Sequence, residues 1–259
     1  MNPFYFGTSQ RRLFGIYEPA VFGSVGKRAA VLCHPWGSEY LHAYRSMRQL
    51  AIKLSVAGFH TLRFDFFGTG DSAGDMMDAD LKGWETDVEL AMEELKDIVG
   101  ATQVALIGLR VGAALAAKVA ASRSREVNAL VLWDPVVSGQ EYLQSLGAAH
   151  RPNAYRLDSE SAKSELTLEI RGGPLTANMV RDFEAIDLGT LISAPPVRTL
   201  IVVTERLPSH ETLCPIPTGR AAGSLAIEHI ASVRPWIEDN ANTGSVPASV
   251  IQRIVTWLE

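Results

Sequence analysis

Two patterns of apolar positions alternate along this chain: short runs that are apolar almost throughout, and longer stretches with helical spacing. The runs at 28–33, 104–107, 129–133 and 199–203 carry the mark of strands buried on both faces. Residues 61–66 predict a further strand, as do 224–230. Between them, helical spacing predicts a helix over 41–57, where Met47, Leu50, Ala51 and Leu54 share one face ahead of Gly58. It predicts another over 84–99, through Val88, Ala91, Met92 and Leu95, and a last one over 247–258. Residues 3–6 and 12–18 flank the turn at Gly7 to Gln10 and predict an antiparallel pair at the sheet edge, with a loop at 22–27. Strands and helices in alternation, joined by right-handed crossovers, predict an α/β fold with a mostly parallel, doubly wound sheet.

One region breaks the alternation. Residues 138–196 are polar, contain Gly172-Gly173-Pro174, and exceed what a crossover needs. They read as an inserted cap over the C-terminal ends of the strands, where open α/β sheets place their ligands. Residues 1–137 and 197–259 then form the core, and 138–196 the cap. At 259 residues the chain suits one such domain. A net charge of -5 argues against nucleic acid or an anionic membrane as partner, and no apolar run approaches a membrane span. The two cysteines, Cys33 and Cys214, have neither metal-ligand spacing nor a disulfide framework, so no metal or cofactor is expected and a reducing cytoplasm suits them. Residues 1–7 lack a charged region followed by a long apolar run, and no signal peptide is expected.

Candidate chemistry centres on Gly108-Leu109-Arg110-Val111-Gly112, where a strand turns sharply between two glycines into a helix rich in small residues. This is the layout of a nucleophile elbow, G-x-S-x-G, with arginine at the serine position. An arginine stays protonated and cannot attack an acyl carbon. A serine triad also needs an acid and then a histidine. Glu205 ends a late strand and occupies the acid position, and Asp134, ending the strand before it, is the other candidate. The loop expected to hold the histidine, 238–246, has none, and His229 falls within a strand. Nucleophile and base are both missing from where that chemistry needs them.

His34-Pro35-Trp36-Gly37 fits an oxyanion-type loop whose backbone N–H would work with that of Val111. Arg110, at a helix N-terminus beside it, admits two readings. It holds a carboxylate, phosphate or sulfate, or it is salt-bridged to Glu39 or Asp134 and plugs the pocket. Cys33 reads as a buried core residue ahead of a displaced nucleophile. His34 reads as shaping its loop by hydrogen bonding, and His210 and Glu211 as part of a solvated loop. Asp65, Asp71 and Ser72 tie down the turn at Gly68-Thr69-Gly70. The spacing of Gly68, Gly70 and Gly74 is not G-x-G-x-x-G and opens no helix, so no dinucleotide site is expected.

Together, His34-Pro35-Trp36-Gly37, the stretch from Arg63 to Ser72 and the elbow resemble the α/β-hydrolase superfamily, in its serine aminopeptidase-like branch. Gly108 to Ala113, followed by Leu130 to Gly139, resembles more narrowly the exosortase-associated hydrolase-like proteins, which accompany bacterial exopolysaccharide and protein-sorting gene clusters. That resemblance implies an α/β-hydrolase fold in which arginine at the elbow is a family trait. Three functions follow as expectations. The first is a protein without the triad, binding or acting non-classically on an acidic or acylated small molecule under the cap, in exopolysaccharide or secondary metabolism. Its contacts would be His34, Trp36, Gly37, Arg110 and Val111. The second is an ester or thioester hydrolase using a relocated nucleophile or an activated water. The third is a non-catalytic protein that docks a protein partner.

Overall fold

The computed structural model describes residues 1–21, 27–148, 168–170, 173–193, 195, 197–213, 224–237 and 245–259. All but the last residue of the loop expected at 22–27 lies outside them, as do Cys214 and most of the loop at 238–246.

Eight strands form one sheet in the order β1-β2-β4-β3-β5-β6-β9-β10. They are β1 (Asn2–Gly7), β2 (Arg12–Glu18), β3 (Ala29–Cys33), β4 (His60–Phe64), β5 (Val104–Leu109), β6 (Val127–Trp133), β9 (Arg198–Val203) and β10 (Leu225–His229). The β1–β2 and β2–β4 pairs are antiparallel and every later pair is parallel, so β2 alone runs against the rest. The helices between them are α1 (Ser38–Val56), α2 (Leu81–Val99) and α3 (Val111–Ser122), and α7 (Ala248–Leu258) closes the chain. The β6–β9 connection carries α4 (Gly139–Ala148), β7 (Leu168–Ile170), β8 (Gly173–Leu175), α5 (Ala177–Glu184) and α6 (Leu188–Ile192).

Alternation along each strand divides the core between the two sheet faces. In β3, Ala30 and Leu32 face α1 and α7, where Met47, Leu50 and Ile254 pack. Val31 and Cys33 face α2 and α3. The expected elements are all present, with shifted ends. α2 begins at Leu81 because Asp80 caps it, its carboxylate accepting from the Gly83 amide. β4 stops at Phe64, and Asp65 begins the loop.

The expectation of a polar insertion needs correction. Tyr142, Leu175, Met179, Phe183, Leu188 and Ile192 are all buried in the same cluster as β3, β5 and β6. The helices are short and each buries one face, as Met179 and Phe183 do four residues apart on α5. Counted along the chain such a segment reads polar, though one side of it is core. α5 sets Phe183 edge-on against Trp36, with ring centroids 5.4 Å apart, and its Asp182 accepts from the Leu81 amide.

The approach of α3 to the sheet is set by two glycines. A Cβ on Gly108 would lie 2.3 Å from the Gly112 carbonyl oxygen, and one on Gly112 would lie 2.4 Å from those of both Cys33 and His34. Alanine ordinarily favours a helix over glycine by about 1 kcal/mol. At Gly112 overlap with backbone on the neighbouring loop wins instead. Gly112→Ala is expected to destabilise the fold by about 1–3 kcal/mol, measured as a fall in the denaturant midpoint at unchanged m-value.

Candidate functional site

β5 ends at Leu109 and α3 begins at Val111, so Arg110 takes the turn by itself. Its φ of 57° and ψ of -120° lie where non-glycine residues are strained, at a cost of about 1–3 kcal/mol. Backbone bonds hold it there. Its amide donates to Trp133 O at 3.1 Å, and its carbonyl accepts from Ala113 at 3.0 Å and from Val136 at 3.3 Å. Among the described residues the one other non-glycine at positive φ is Asp134, at 40°, directly across this turn.

The Arg110 side chain is largely buried, 13% exposed, and ion-paired. Its Nε donates to Glu39 Oε1 at 3.1 Å and its Nη1 to the Asp134 carbonyl at 3.3 Å. The guanidinium lies 5.5 Å from the Tyr142 ring centroid and 5.1 Å from that of Trp236. Tyr142 also donates its hydroxyl to Glu39 Oε2 at 3.3 Å. Burial opposes the Arg110 charge, but Glu39 and then Tyr142 outweigh it, and the guanidinium pKa is raised. Of the two acids foreseen for a salt bridge, Glu39 supplies its carboxylate and Asp134 only its backbone.

Both acid-position candidates border a cavity of about 270 Å³ beside Arg110, in contrasting states. Asp134 is buried, and its carboxylate accepts from the Thr204 amide at 2.7 Å and the Thr204 hydroxyl at 3.1 Å. Burial outweighs those bonds and pushes its pKa up to about 6. Glu205 is exposed and ion-paired with Arg234. His210, expected in a solvated loop, is half-buried on the wall of this cavity, where its Nδ1 accepts from the Leu207 amide. Burial lowers its pKa, so it is the neutral form that faces Arg110. Glu211 beside it is exposed, as expected. His229 lies within β10 and is exposed.

The loop from His34 to Gly37 borders a second cavity, of about 260 Å³, walled by Trp36, Tyr40, Phe66, Met76, Trp84 and Pro174 among others. Trp36 Nε1 and His34 Nδ1 are buried there without a hydrogen-bond partner. The hydrogen-bonding role expected of His34 is therefore replaced by aromatic packing, with its ring 5.2 Å from Tyr40 and 6.4 Å from Tyr44. Burial, then Arg63, lowers its pKa to about 3 and leaves it neutral. Gly37, at φ 63°, leads into α1, and neither α1 nor α3 has a side-chain cap on its N-terminus. Cys33 is wholly buried and its thiol pKa is raised by that burial, the state of a core residue. The tie-down of the turn is as expected. Asp65 Oδ2 accepts from the Asp71 amide at 3.0 Å, and Ser72 donates its hydroxyl to Asp65 O at 2.6 Å.

Sequence reasoning missed Tyr142, Trp236 and Arg234. Trp236 stands in the loop after β10, close to where a catalytic histidine was sought, and a lone tryptophan in so polar a loop was the available signal. Tyr142 gave none, because its segment is polar by composition.

Comparison with known proteins bears on the fold and family. A family model described as serine aminopeptidase, S33, matches residues 27–187. No curated protein matches the chain. Among solved structures, Est1E from Butyrivibrio proteoclasticus with ferulic acid bound is similar at a TM-score of 0.67 and 18% identity, over 98% of this chain and 97% of that one. Mouse alpha/beta hydrolase domain-containing protein 10 follows at 0.61 and 15%, over 100% and 98%. A thioesterase domain from the curacin biosynthetic pathway is similar at 0.58 and 13%, over 100% and 99%. At such identities the likeness is one of fold, the α/β-hydrolase fold.

Removing Arg110 takes the opposite charge away from the buried Glu39 carboxylate. Arg110→Ala is expected to destabilise by about 3–5 kcal/mol, and adding Glu39→Gln is expected to recover most of that in a double-mutant cycle. Asp134 gives a pH signature. Its folded pKa of about 6 exceeds its ordinary value of 3.8, so the folded state holds the proton longer. Its contribution is fully present below pH 3.8 and is lost as pH rises through 6, about 3 kcal/mol in all. Stability curves of the wild type and Asp134→Asn are expected to diverge over that window, the wild type falling more steeply.

Proposed function

The chain belongs to the serine aminopeptidase, S33, family of α/β-hydrolase proteins, and we propose that it binds an acylated small molecule without serine hydrolysis. One observation carries the reading. The turn that would present a nucleophile presents Arg110, whose charge is already matched by Glu39 and whose faces meet Tyr142 and Trp236. An anion at Arg110 would compete with the Glu39 carboxylate already beside it. The ligand this favours is a neutral acyl or aryl group rather than an acidic one.

The aromatic cavity beside His34 to Gly37 suits such a group. At about 260 Å³ it falls just below the usual range for drug-sized ligands, roughly 300–1,000 Å³, so its occupant is a single ring or a short acyl chain. Trp36 Nε1 can only donate, which calls for a carbonyl acceptor on the ligand. Gly37 and the Val111 amide at the start of α3 would complete an oxyanion-type cradle. Pro174, from the connection between β6 and β9, borders the cavity, which fits a capping role for the described part of that connection. An aromatic acid bound to Est1E and a thioesterase domain among the structural neighbours support an acyl class of ligand. The narrower kinship with exosortase-associated proteins, a place in exopolysaccharide or secondary metabolism, and a cytoplasmic location belong to this same proposal.

Hydrolysis remains as a second reading because His210, neutral and half-buried, shares a cavity with Asp134 and Glu205 and could activate a water.

A panel of chromogenic esters and acyl thioesters is expected to give no turnover above background with the wild type, Cys33→Ala, Arg110→Ala or Arg110→Ser. Turnover that disappears in His210→Ala would establish the second reading instead. Short aryl amides are expected to raise the wild-type melting temperature. Trp36→Phe, which removes only the indole N–H donor, is expected to weaken their binding about tenfold by calorimetric titration.

A further inference from the structure

His210 lines the polar cavity beside Arg110, and the hydrolytic reading needs it to take a proton from a water there. A neutral imidazole carries one N–H and one lone pair. Acting as a base requires the lone pair, and not the N–H, to face the cavity. Which nitrogen holds the proton is set by the bond the other one makes.

The loop after β9 makes that bond within itself. Pro208 opens a short 3₁₀ helix at Pro208–Leu213, in the first helical position, where its missing N–H costs nothing. Leu207 is then the cap and His210 the third residue. His210 donates its amide to Leu207 O at 3.0 Å. In the opposite direction the Leu207 amide donates to His210 Nδ1 at 3.2 Å. This is the part a glutamate or glutamine plays in a capping box, reaching back from the third residue to the amide of the cap. Here an imidazole nitrogen plays it.

A lone pair that accepts from an amide cannot hold a proton as well. In the neutral ring the proton is therefore on Nε2. Burial keeps the ring neutral, lowering its pKa against the pull of Glu141 and Glu205, and Arg110 opposes the charge as well. The Glu205 backbone carbonyl also acts on the ring as an acceptor, which calls for an N–H on the nitrogen that Leu207 leaves over.

We infer that the Leu207 amide holds His210 as the Nε2–H tautomer, so that His210 serves the cavity as a fixed hydrogen-bond donor and not as a base. An oxygen beside Nε2, on a water or on a ligand carbonyl, meets a proton there. A water so held keeps both its protons, whereas a carbonyl is polarised. Reversing the role means moving the ring proton to Nδ1, which takes the acceptor away from the Leu207 amide. The inference decides against the second reading in the form that uses His210. It is independent of acyl binding, because the bonds that carry it lie within one loop.

The test is the tautomer itself, read at neutral pH by long-range proton–nitrogen correlation NMR on the nitrogen-labelled chain, with His210→Gln to assign the signal. A protonated Nε2 beside an unprotonated Nδ1 is expected. A protonated Nδ1, an even mixture of tautomers or a charged ring overturns the inference. The capping bond gives a second readout, which lost packing would not reproduce. His210→Ala is expected to lower the melting temperature by about 2–4 °C, the scale of one hydrogen bond in a chain of this size, and His210→Gln to regain most of it. A glutamine variant as unstable as the alanine one also overturns the inference. Should neither variant fold, the wild-type spectrum decides, its ring signals assigned through the His210 Cβ. Neither readout uses a ligand, so a failure of acyl binding leaves both in force.

Discussion

A cation that cannot be neutralised by losing a proton sits at the tightest turn of this fold, and the surrounding elements are arranged to match it. Arg110 is fixed by strained backbone between β5 and α3. Its guanidinium then has to find its counter-charge within reach of that turn, and Glu39 on the first turn of α1 supplies it. α4 brings Tyr142 to the other oxygen of Glu39, and the loop after β10 brings Trp236 to the guanidinium face. Four segments distant in sequence thus converge on one ion pair. Loss of either charge would leave the other buried.

That convergence divides the space above the sheet. Two cavities lie there, one bordered by Asp134, Glu205 and His210, the other walled by aromatic rings of the loops after β3 and β4 among others. In the first, most polar groups are paired already: Asp134 with Thr204, Glu205 with Arg234. In the second, two buried donors or acceptors stand open, on His34 and Trp36. Unsatisfied buried polarity is where a ligand gains most from binding, since it removes a cost the free protein bears. The weight of function therefore shifts from the arginine at the turn to the loop beside it.

The arginines show how far chemistry can be read before the fold is known. Arg110 stood out at once, because G-L-R-V-G defines a turn whose central side chain is presented at the C-terminal edge of the sheet. Arg63 looked like one polar residue in a strand next to a well-understood glycine turn. Its burial beside Tyr44 and Asp65 comes from neighbours on other segments, which no pattern within the strand records. The burial of His210 and Tyr142 escapes sequence for a related reason. Both lie in segments polar by composition, and burial there is conferred by one face packing against elements far along the chain.

The sequence alone determined the α/β architecture, the positions of the strands and principal helices, the two glycines that let α3 meet the sheet, and the absence of a serine from the turn between them. These follow from periodicity and from backbone sterics, which act over a few residues. Tertiary structure decided which carboxylate matches Arg110, which histidines are buried and neutral, and how Asp134 and Glu205 come to differ. Burial and ion pairing arise from contacts between segments separated by tens of residues, and their energies depend on distances that only the folded chain defines.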